Sequence, residues 1–281
     1  MLLSQAHVTD LEVQALTPAV TSGWVAPLGP EVDGFEQDIC GFTGARHALA
    51  LSSGTAAIHL ALLGLDVKPG DEVIVPTLTF GATAFAVTYT GARPIFIDVE
   101  EQSWGLDPIL LETVLAERSR QGFRVAAIIP VDLLGRPADY DRILPVAAKH
   151  GVPVLVDAAE SLGATHHDRP AGTMGRAGVY SFNGNKIMTT SGGGMLVSDD
   201  GELVEKARFW STQSREPFPW YEHEEIGYNY RLSNILAALG RAQLARLPEM
   251  IERRRQIRRM YTEMLSGLEG VVVTPDPPWG T

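Results

Sequence analysis

The middle of the chain alternates short apolar runs with longer stretches in which apolar residues recur at helical spacing. The runs predicted as strands are His47–Leu51, Glu72–Val75, Pro94–Val99, Val125–Val131, Val152–Asp157, Val179–Phe182 and Gly194–Ser198. The stretches predicted as helices are Thr55–Leu63, Ala82–Thr90, Pro108–Arg118 and Ala138–His150. Strands that are apolar on both faces favour an α/β fold, in which helices cover a largely parallel sheet. The run at 194–198 is also compatible with an antiparallel direction.

The pattern changes in the last fifty residues. From Leu232 to Leu268 apolar residues recur every three or four positions around Pro248, which predicts two helices or one kinked helix. Val271–Thr274 then predicts a new strand. We expect residues 1–240 to form an N-terminal arm and a large domain. Residues 241–281 are expected to form connecting helices and the start of a truncated small domain.

Composition excludes some classes of partner. The formal charge of -11 argues against nucleic acid, whose binding needs clustered cations. One basic run, residues 253–259, lies at helical spacing with apolar neighbours and indicates a solvated helix face. Cys40 is the single cysteine, so no intrachain disulfide is possible. No apolar run has the length of a membrane span and the first ten residues lack a signal-peptide pattern, so we expect a cytoplasmic protein without a membrane partner.

Two motifs lie at predicted strand ends. Ser52–Ala56 joins a strand to a helix, where free backbone N–H groups and Gly54 suit a phosphate. An ordinary N-cap by Ser53 explains this motif equally well. Leu155–Glu160 places Asp157 at the carboxyl end of a buried strand, where it could hold a protonated ring nitrogen. A turn or capping aspartate is the competing explanation.

A third motif, Tyr180–Lys186, is followed by the glycine-rich run Thr189–Gly194. A lysine on such a loop between strands is a candidate Schiff-base nucleophile, and Ser181 could donate to the same phosphate. A surface lysine is the competing interpretation. A nucleotide-binding P-loop does not fit, because Gly178 and Gly184 are too far apart and neither Ser nor Thr follows Lys186.

A fourth motif, Gly227–Asn234, combines two tyrosines, two amides and Arg231 just before a predicted helix. This composition suits recognition of an anion, although a helix start capped by Ser233 or Asn234 explains it as well. The chain lacks the fingerprints of nicotinamide dehydrogenases and α/β-hydrolases. No metal site is expected, because His166 and His167 are adjacent and cannot both face one metal from a strand.

Taken together, these motifs resemble the DegT/DnrJ family of sugar aminotransferases. The segments that carry the resemblance are Trp24–Pro30, Ser53–Thr55, Pro76–Phe80, Asp157–Glu160, Ser181–Lys186 and Gly227–Arg231. It runs nearly end to end and implies a fold type I transferase with pyridoxal 5'-phosphate. Residues 182–186 most resemble the branch that aminates C4 of UDP-linked 4-keto-6-deoxy sugars.

The resemblance implies a role for each matching residue. Lys186 would form the Schiff base with the cofactor and shuttle the proton, and Asp157 would hold the pyridine nitrogen. Phe80 would stack on the ring, with Glu160 near the phenolic oxygen. The phosphate ligands it implies are Gly54, Thr55, Ser181 and, from the neighbouring subunit, Asn229. Arg231 would lie close by and is a candidate substrate contact. Apart from the resemblance, His223 in the preceding loop is a second candidate, although packing within the loop explains it as well.

The implied activity is transfer of an amino group from glutamate, leaving 2-oxoglutarate, to the nucleotide-linked keto sugar. Lysine at position 186 fits a transaminase, because the family's sugar dehydratases carry histidine there. A homodimer with shared active sites is implied. The alternative is a truncated dimer that binds pyridoxal phosphate in a regulatory or binding role with little turnover.

Overall fold

The computed structural model describes residues 4–281. Its strands are β1 (His47–Leu51), β2 (Glu72–Pro76), β3 (Arg93–Ile97), β4 (Val125–Ile128), β5 (Leu155–Asp157), β6 (Thr165–His166), β7 (Arg169–Pro170), β8 (Ala177–Ser181) and β9 (Gly194–Ser198). Its α-helices are α1 (Asp10–Thr21), α2 (Pro30–Thr43), α3 (Gly54–Gly64), α4 (Gly81–Tyr89), α5 (Pro108–Arg120), α6 (Tyr140–Lys149), α7 (Gly201–Ser211) and α8 (Asn234–Leu265). Within the described range, none of these helices combines the length and the apolar character that a membrane crossing requires.

Seven strands lie side by side in the order β3–β2–β4–β5–β8–β9–β1. The ladders of β2 with β3 and β4, and of β5 with β8, are parallel. Parallel bridges from Ile128 to Val154 and from Val131 to Asp157 join the two halves. Strand β9 runs antiparallel to both β8 and β1. The α/β class and the largely parallel sheet are therefore confirmed, and β9 has the antiparallel direction that the sequence left open.

The central strands are buried on both faces because alternate side chains enter two separate cores. On β2, Val73 and Val75 pack with helices α3 and α7, whereas Ile74 packs on the opposite side with α2, α5 and α6. On β1, the small Ala50 faces the core that contains Ile74, and Leu51 faces the core that contains Val73 and Val75. This is why the sequence shows continuous apolar runs, since successive strand residues point to opposite faces.

The N-terminal helices dock on α8 through buried polar contacts. The Asn234 side-chain oxygen accepts a hydrogen bond from the Glu31 N–H at 2.9 Å, which satisfies one free donor at the start of α2. Glu12 on α1 is fully buried and forms an ion pair with Arg246 at 2.7 Å. These contacts hold α1 and α2 against α8.

Helix α8 is one continuous helix, and the segment after it does not form the predicted strand. The helix is a single element of 32 residues with Pro248 inside it, and its arginines at 253–259 are exposed, as predicted. The boundary at residue 240 lies within this helix, and the division into domains stays a prediction. The predicted strand Val271–Thr274 is wrong, because this segment forms no ladder and Val272 is 85% exposed.

Candidate active site

A cavity of about 210 Å³ opens at the carboxyl ends of β5 and β8, beside the amino ends of α3 and α4. Open α/β sheets bind their ligands at this edge. It brings together seven of the residues predicted from the sequence: Gly54, Thr55, Phe80, Asp157, Glu160, Ser181 and Lys186. These residues come from four separate segments of the chain, so the fold assembles one site from distant motifs.

One wall of the cavity is the amino end of α3. The Ser53 hydroxyl caps the helix by accepting from the Ala56 N–H at 3.0 Å, so the ordinary capping interpretation is correct. The N–H groups of Gly54 and Thr55 also start the helix, where donors have no acceptor within the helix. A Cβ on Gly54 would lie 3.1 Å from the Ser181 Cβ, which shows how closely β8 approaches. Free donors and the helix dipole make this wall suited to a phosphate.

Asp157 lies at the base of the cavity. Its carboxylate accepts hydrogen bonds from the Thr83 hydroxyl at 2.7 Å and from the Ala159 N–H at 3.1 Å. The side chain is buried, and this burial raises the pKa of Asp157, although both hydrogen bonds and the charge of Lys186 act to lower it. A buried carboxylate of this kind is stabilised by a cation with an N–H donor, which a protonated ring nitrogen provides.

The amine of Lys186 points toward the carboxylate of Glu160. Its Nζ lies 3.1 Å from Glu160 Oε1, and its side chain is 14% exposed. The other oxygen of Glu160 accepts from the Leu134 N–H at 2.8 Å. The lysine is therefore partly shielded from solvent but open to the cavity, which is the setting an amine nucleophile requires. A surface lysine is not what the structure shows.

Phe80 occupies the N-cap position of α4 and is 78% exposed, with its ring at the cavity. An exposed aromatic ring at the edge of a cavity suits stacking on a planar ligand. Its contact with the cofactor stays a prediction.

Three predicted site residues lie outside this cavity. Asn229 is exposed and pairs by a backbone bridge with Thr212. Arg231 forms an ion pair with Glu36 at 3.2 Å, with only 8% of its side chain exposed. His223 is exposed, and its Nδ1 lies 2.8 Å from the Gln213 carbonyl oxygen. Their roles toward phosphate and substrate stay predictions.

Sequence reasoning missed several contributors. Thr83, which holds Asp157, lies one turn into α4 just after the Pro76–Phe80 motif, and its helical spacing from Phe80 is a signal that could have identified it. Asn183, Asn185 and Leu133 also line the cavity. The Leu133–Gly135 3-10 turn carries no motif, and its place beside Glu160 depends on tertiary contacts alone.

His166 and His167 lie side by side, so the expectation that these two neighbours cannot face one metal is wrong in its geometry. His166 ends β6, but His167 has a positive φ of 51°, which turns it out of the strand direction. Ligand atoms of Asp141, His166 and His167 consequently lie within 4.8 Å of one another. His167 Nε2 is already 2.8 Å from Asp141 Oδ2. The expectation that the protein uses no metal stays a prediction.

The arrangement in the cavity defines a class of protein. An anion-binding helix end, an amine and a buried carboxylate share one cavity, and they match the three ends of pyridoxal phosphate: its phosphate, its aldehyde and its pyridine nitrogen. The sequence profile of the DegT/DnrJ/EryC1/StrS aminotransferase family matches residues 7–281. The chain belongs to this family, whose aminotransferases bind pyridoxal phosphate.

Individual relatives agree with this assignment. The Bacillus subtilis (strain 168) protein EpsN, provisionally named a pyridoxal phosphate-dependent aminotransferase, is 49% identical over 274 residues, covering 98% of this chain and 71% of EpsN. The GDP-perosamine synthase of Caulobacter vibrioides is 40% identical over 252 residues, covering 90% of this chain and 66% of that enzyme. A DegT DnrJ EryC1 StrS aminotransferase from Brucella abortus has a crystal structure that superimposes with a TM-score of 0.91 at 34% identity, covering 96% of this chain and 72% of that one.

Proposed function

We propose that this protein uses pyridoxal 5'-phosphate to transfer an amino group from glutamate to a nucleotide-linked keto sugar. The observation that carries the proposal is the placement of Lys186 and Asp157 in one cavity bounded by the amino end of α3. Family membership supports the transaminase class, and the name of the perosamine synthase supports a sugar attached to a nucleotide.

In this proposal each side chain has a defined task. The Gly54 and Thr55 N–H groups and the Ser181 hydroxyl bind the phosphate, and Asp157 keeps the ring nitrogen protonated. The bound cofactor supplies an electron sink that stabilises negative charge on the adjacent carbon. Lys186 Nζ removes the proton from the α-carbon of the donor and, in the second half of the reaction, delivers a proton to the sugar carbon that receives the amino group. Glu160, 3.1 Å away, orients that amine.

Within this class we propose a UDP-linked 4-keto-6-deoxy sugar as the acceptor, with Arg231 and His223 among the residues that shape its site. Residues 182–186 support this choice by their resemblance to the corresponding branch of the family. The 40% identical perosamine synthase carries GDP in its name, so GDP is the competing nucleotide. Turnover with matched UDP-, GDP- and TDP-linked 4-keto sugars measures the preference, and faster turnover with GDP would reject the UDP assignment.

We further propose a cytoplasmic homodimer with shared active sites. Asn229 is exposed and lies outside the cavity of its own chain, which is where a residue serving a neighbouring subunit is expected. Phe80 is likewise exposed at the cavity edge.

Substitution of Lys186 tests the proposed function directly. We expect Lys186→Ala to lower turnover by about 10²–10⁴-fold, the range that positioned proton transfer contributes. The matched control is Lys149→Ala, whose side chain is 67% exposed and pairs with Glu112. Borohydride reduction followed by peptide mass spectrometry should label Lys186 in the wild-type chain and in the control. Transamination retained in Lys186→Ala would overturn the proposal.

A protein that binds the cofactor without turnover is the alternative that must be distinguished from an active transaminase. A wild-type chain that shows the absorbance of bound cofactor but does not aminate any of the three keto sugars would support it.

A further inference from the structure

Glu160, the partner of Lys186, depends on two backbone segments. Its own backbone follows β5, and its Oε2 is held by the N–H of Leu134 in the Leu133–Gly135 turn. Leu134 has a left-handed φ of 55° and is 68% exposed. A leucine in this conformation is strained and needs other contacts to hold it there. The position of the Lys186 amine therefore depends on what fixes this turn.

Both segments converge on the carboxylate of Asp132. This residue directly precedes the turn, and its Oδ2 accepts from the Ser161 hydroxyl at 2.9 Å, one residue after Glu160. Its Oδ1 accepts from the Ala138 N–H at 3.0 Å and from the Tyr140 hydroxyl at 2.6 Å, both beyond the turn. One carboxylate thus closes the loop that carries Leu134 and attaches it to the segment that carries Glu160.

Burying the carboxylate of Asp132 at this position costs free energy. Its side chain is fully buried, and none of its hydrogen-bond partners within residues 4–281 is a cation. Burial and, to a smaller extent, the charge of the neighbouring Asp157 raise the pKa of Asp132 to about 6, although its three hydrogen bonds act to lower it. Folded proteins avoid buried unpaired carboxylates unless hydrogen bonds compensate. A carboxylate at this buried position therefore points to a task that an apolar side chain cannot perform.

We propose that Asp132 is a positioning residue for amino transfer, because its carboxylate fixes the two segments that hold Glu160 beside Lys186. This inference rests on the proposed function. The groups that face Asp132 are Tyr140 from α6, Asp157 from β5, Ser161 from the segment after β5 and Tyr180 from β8. Asp132 contacts neither end of the Lys186–Glu160 pair directly, so its effect on catalysis has to pass through Glu160.

Two substitutions at position 132 separate geometry from charge. Asp132→Ala removes every contact of the carboxylate, and we expect kcat to fall about 10²-fold, the loss that a small misplacement of a catalytic group causes. Asp132→Asn keeps the shape, since its amide oxygen can accept from Ala138 and Tyr140 and its NH₂ can donate to Ser161. We expect this variant to recover most of kcat at every pH, because a neutral group that keeps these contacts then suffices. KM for the keto sugar should change little in either variant.

A pair of tyrosines provides a test in case Asp132→Ala does not fold. Tyr140→Phe removes a buried hydroxyl that binds Asp132, whereas the matched control Tyr180→Phe removes a buried hydroxyl that binds the Ala171 carbonyl. We expect kcat to fall in the first and to stay at the wild-type value in the second. The kinetic isotope effect with glutamate deuterated at Cα should rise in Tyr140→Phe, because proton transfer by Lys186 becomes slower.

Cofactor absorbance and turnover of the wild-type protein distinguish a wrong role for Asp132 from a wrong proposed function. If the wild-type chain shows no cofactor absorbance and no turnover, the proposed function fails first. If it turns over while Tyr140→Phe and Asp132→Ala keep the wild-type kcat and isotope effect, only the role of Asp132 is overturned. An Asp132→Asn variant as slow as Asp132→Ala would also overturn it, since charge and not position would then matter.

Discussion

Gly194 opens strand β9 directly against the amino end of α3. A Cβ at this position would overlap the Ser53 carbonyl carbon and the Gly54 nitrogen, so the helix end could not keep its place. We expect Gly194→Ala to cost about 1–3 kcal/mol in the free energy of unfolding, as overpacked substitutions do, and to weaken retention of pyridoxal phosphate. Urea denaturation and cofactor absorbance after gel filtration measure the two effects.

Gly192, two residues earlier in the same run, is the matched control for that substitution. A Cβ there would have its nearest neighbour, the Ser52 carbonyl oxygen, at 3.9 Å, an ordinary contact. Gly192→Ala should therefore keep the stability of the wild type. Equal losses in the two variants would show that the glycine run acts through chain flexibility and not through the close approach of β9 to α3.

At the scale of elements, α1 is attached to α8 through Glu12. Burial opposes ionisation of this carboxyl, but hydrogen bonds from the Thr9 side chain and backbone, Arg246 and Gln243 together lower its pKa to about 2. The folded pKa lies below the ordinary value of 4.5, so the stabilisation is present above pH 4.5 and is lost as the pH falls toward 2. The shift corresponds to about 3 kcal/mol.

We therefore expect Glu12→Gln to lower the free energy of unfolding by about 3 kcal/mol near neutral pH, with a difference from wild type that shrinks on acidification. Chemical denaturation at a series of pH values measures this. Glu252→Gln serves as the control, because its ion pair with Arg259 on α8 is exposed and should contribute little. A difference that does not change with pH would contradict the linkage to Glu12.

The elements differ in how far the sequence predicts them. Strand β1 and helix α3 have their expected bounds within a residue or two, because their apolar patterns reflect burial on the cores beside the sheet. Helix α1 went unpredicted because Leu11, Val13 and Val20 are exposed on it and no buried apolar stripe marks its spacing. Val271–Thr274 has the composition of a strand, but a strand also requires a neighbour in a ladder.

The candidate site shows the same division between local and tertiary information. Asp157 and Lys186 could be assigned to one site from the sequence, since each belongs to a motif that resembles the DegT/DnrJ family. The hydrogen bonds of Asp132 to Ser161 and of Thr83 to Asp157 span 29 and 74 residues. No local pattern encodes such contacts, because they exist only after the sheet has brought the segments together.

At the scale of the whole molecule, the proposed dimer gives an active site built from two chains. If Asn229 serves the partner's cofactor, Lys186→Ala and Asn229→Ala remove different halves of the same composite site. A mixed dimer then carries one damaged site with both defects and one intact site, because the intact Lys186 of one chain meets the intact Asn229 of the other. Each variant expressed alone should be inactive or nearly so.

Co-expression of the two variants with different affinity tags tests this arrangement. Random pairing places about half of the dimers in the mixed form with one working site each, so we expect about a quarter of the wild-type turnover in the whole sample. Purification through both tags should raise this to about half, since only mixed dimers remain. If Asn229 acted within its own chain, every site would lack one of the two groups and mixing would restore nothing. A doubly purified sample with no gain over the separate variants would therefore contradict the shared site, while the labelling of Lys186 by borohydride would stand unaffected.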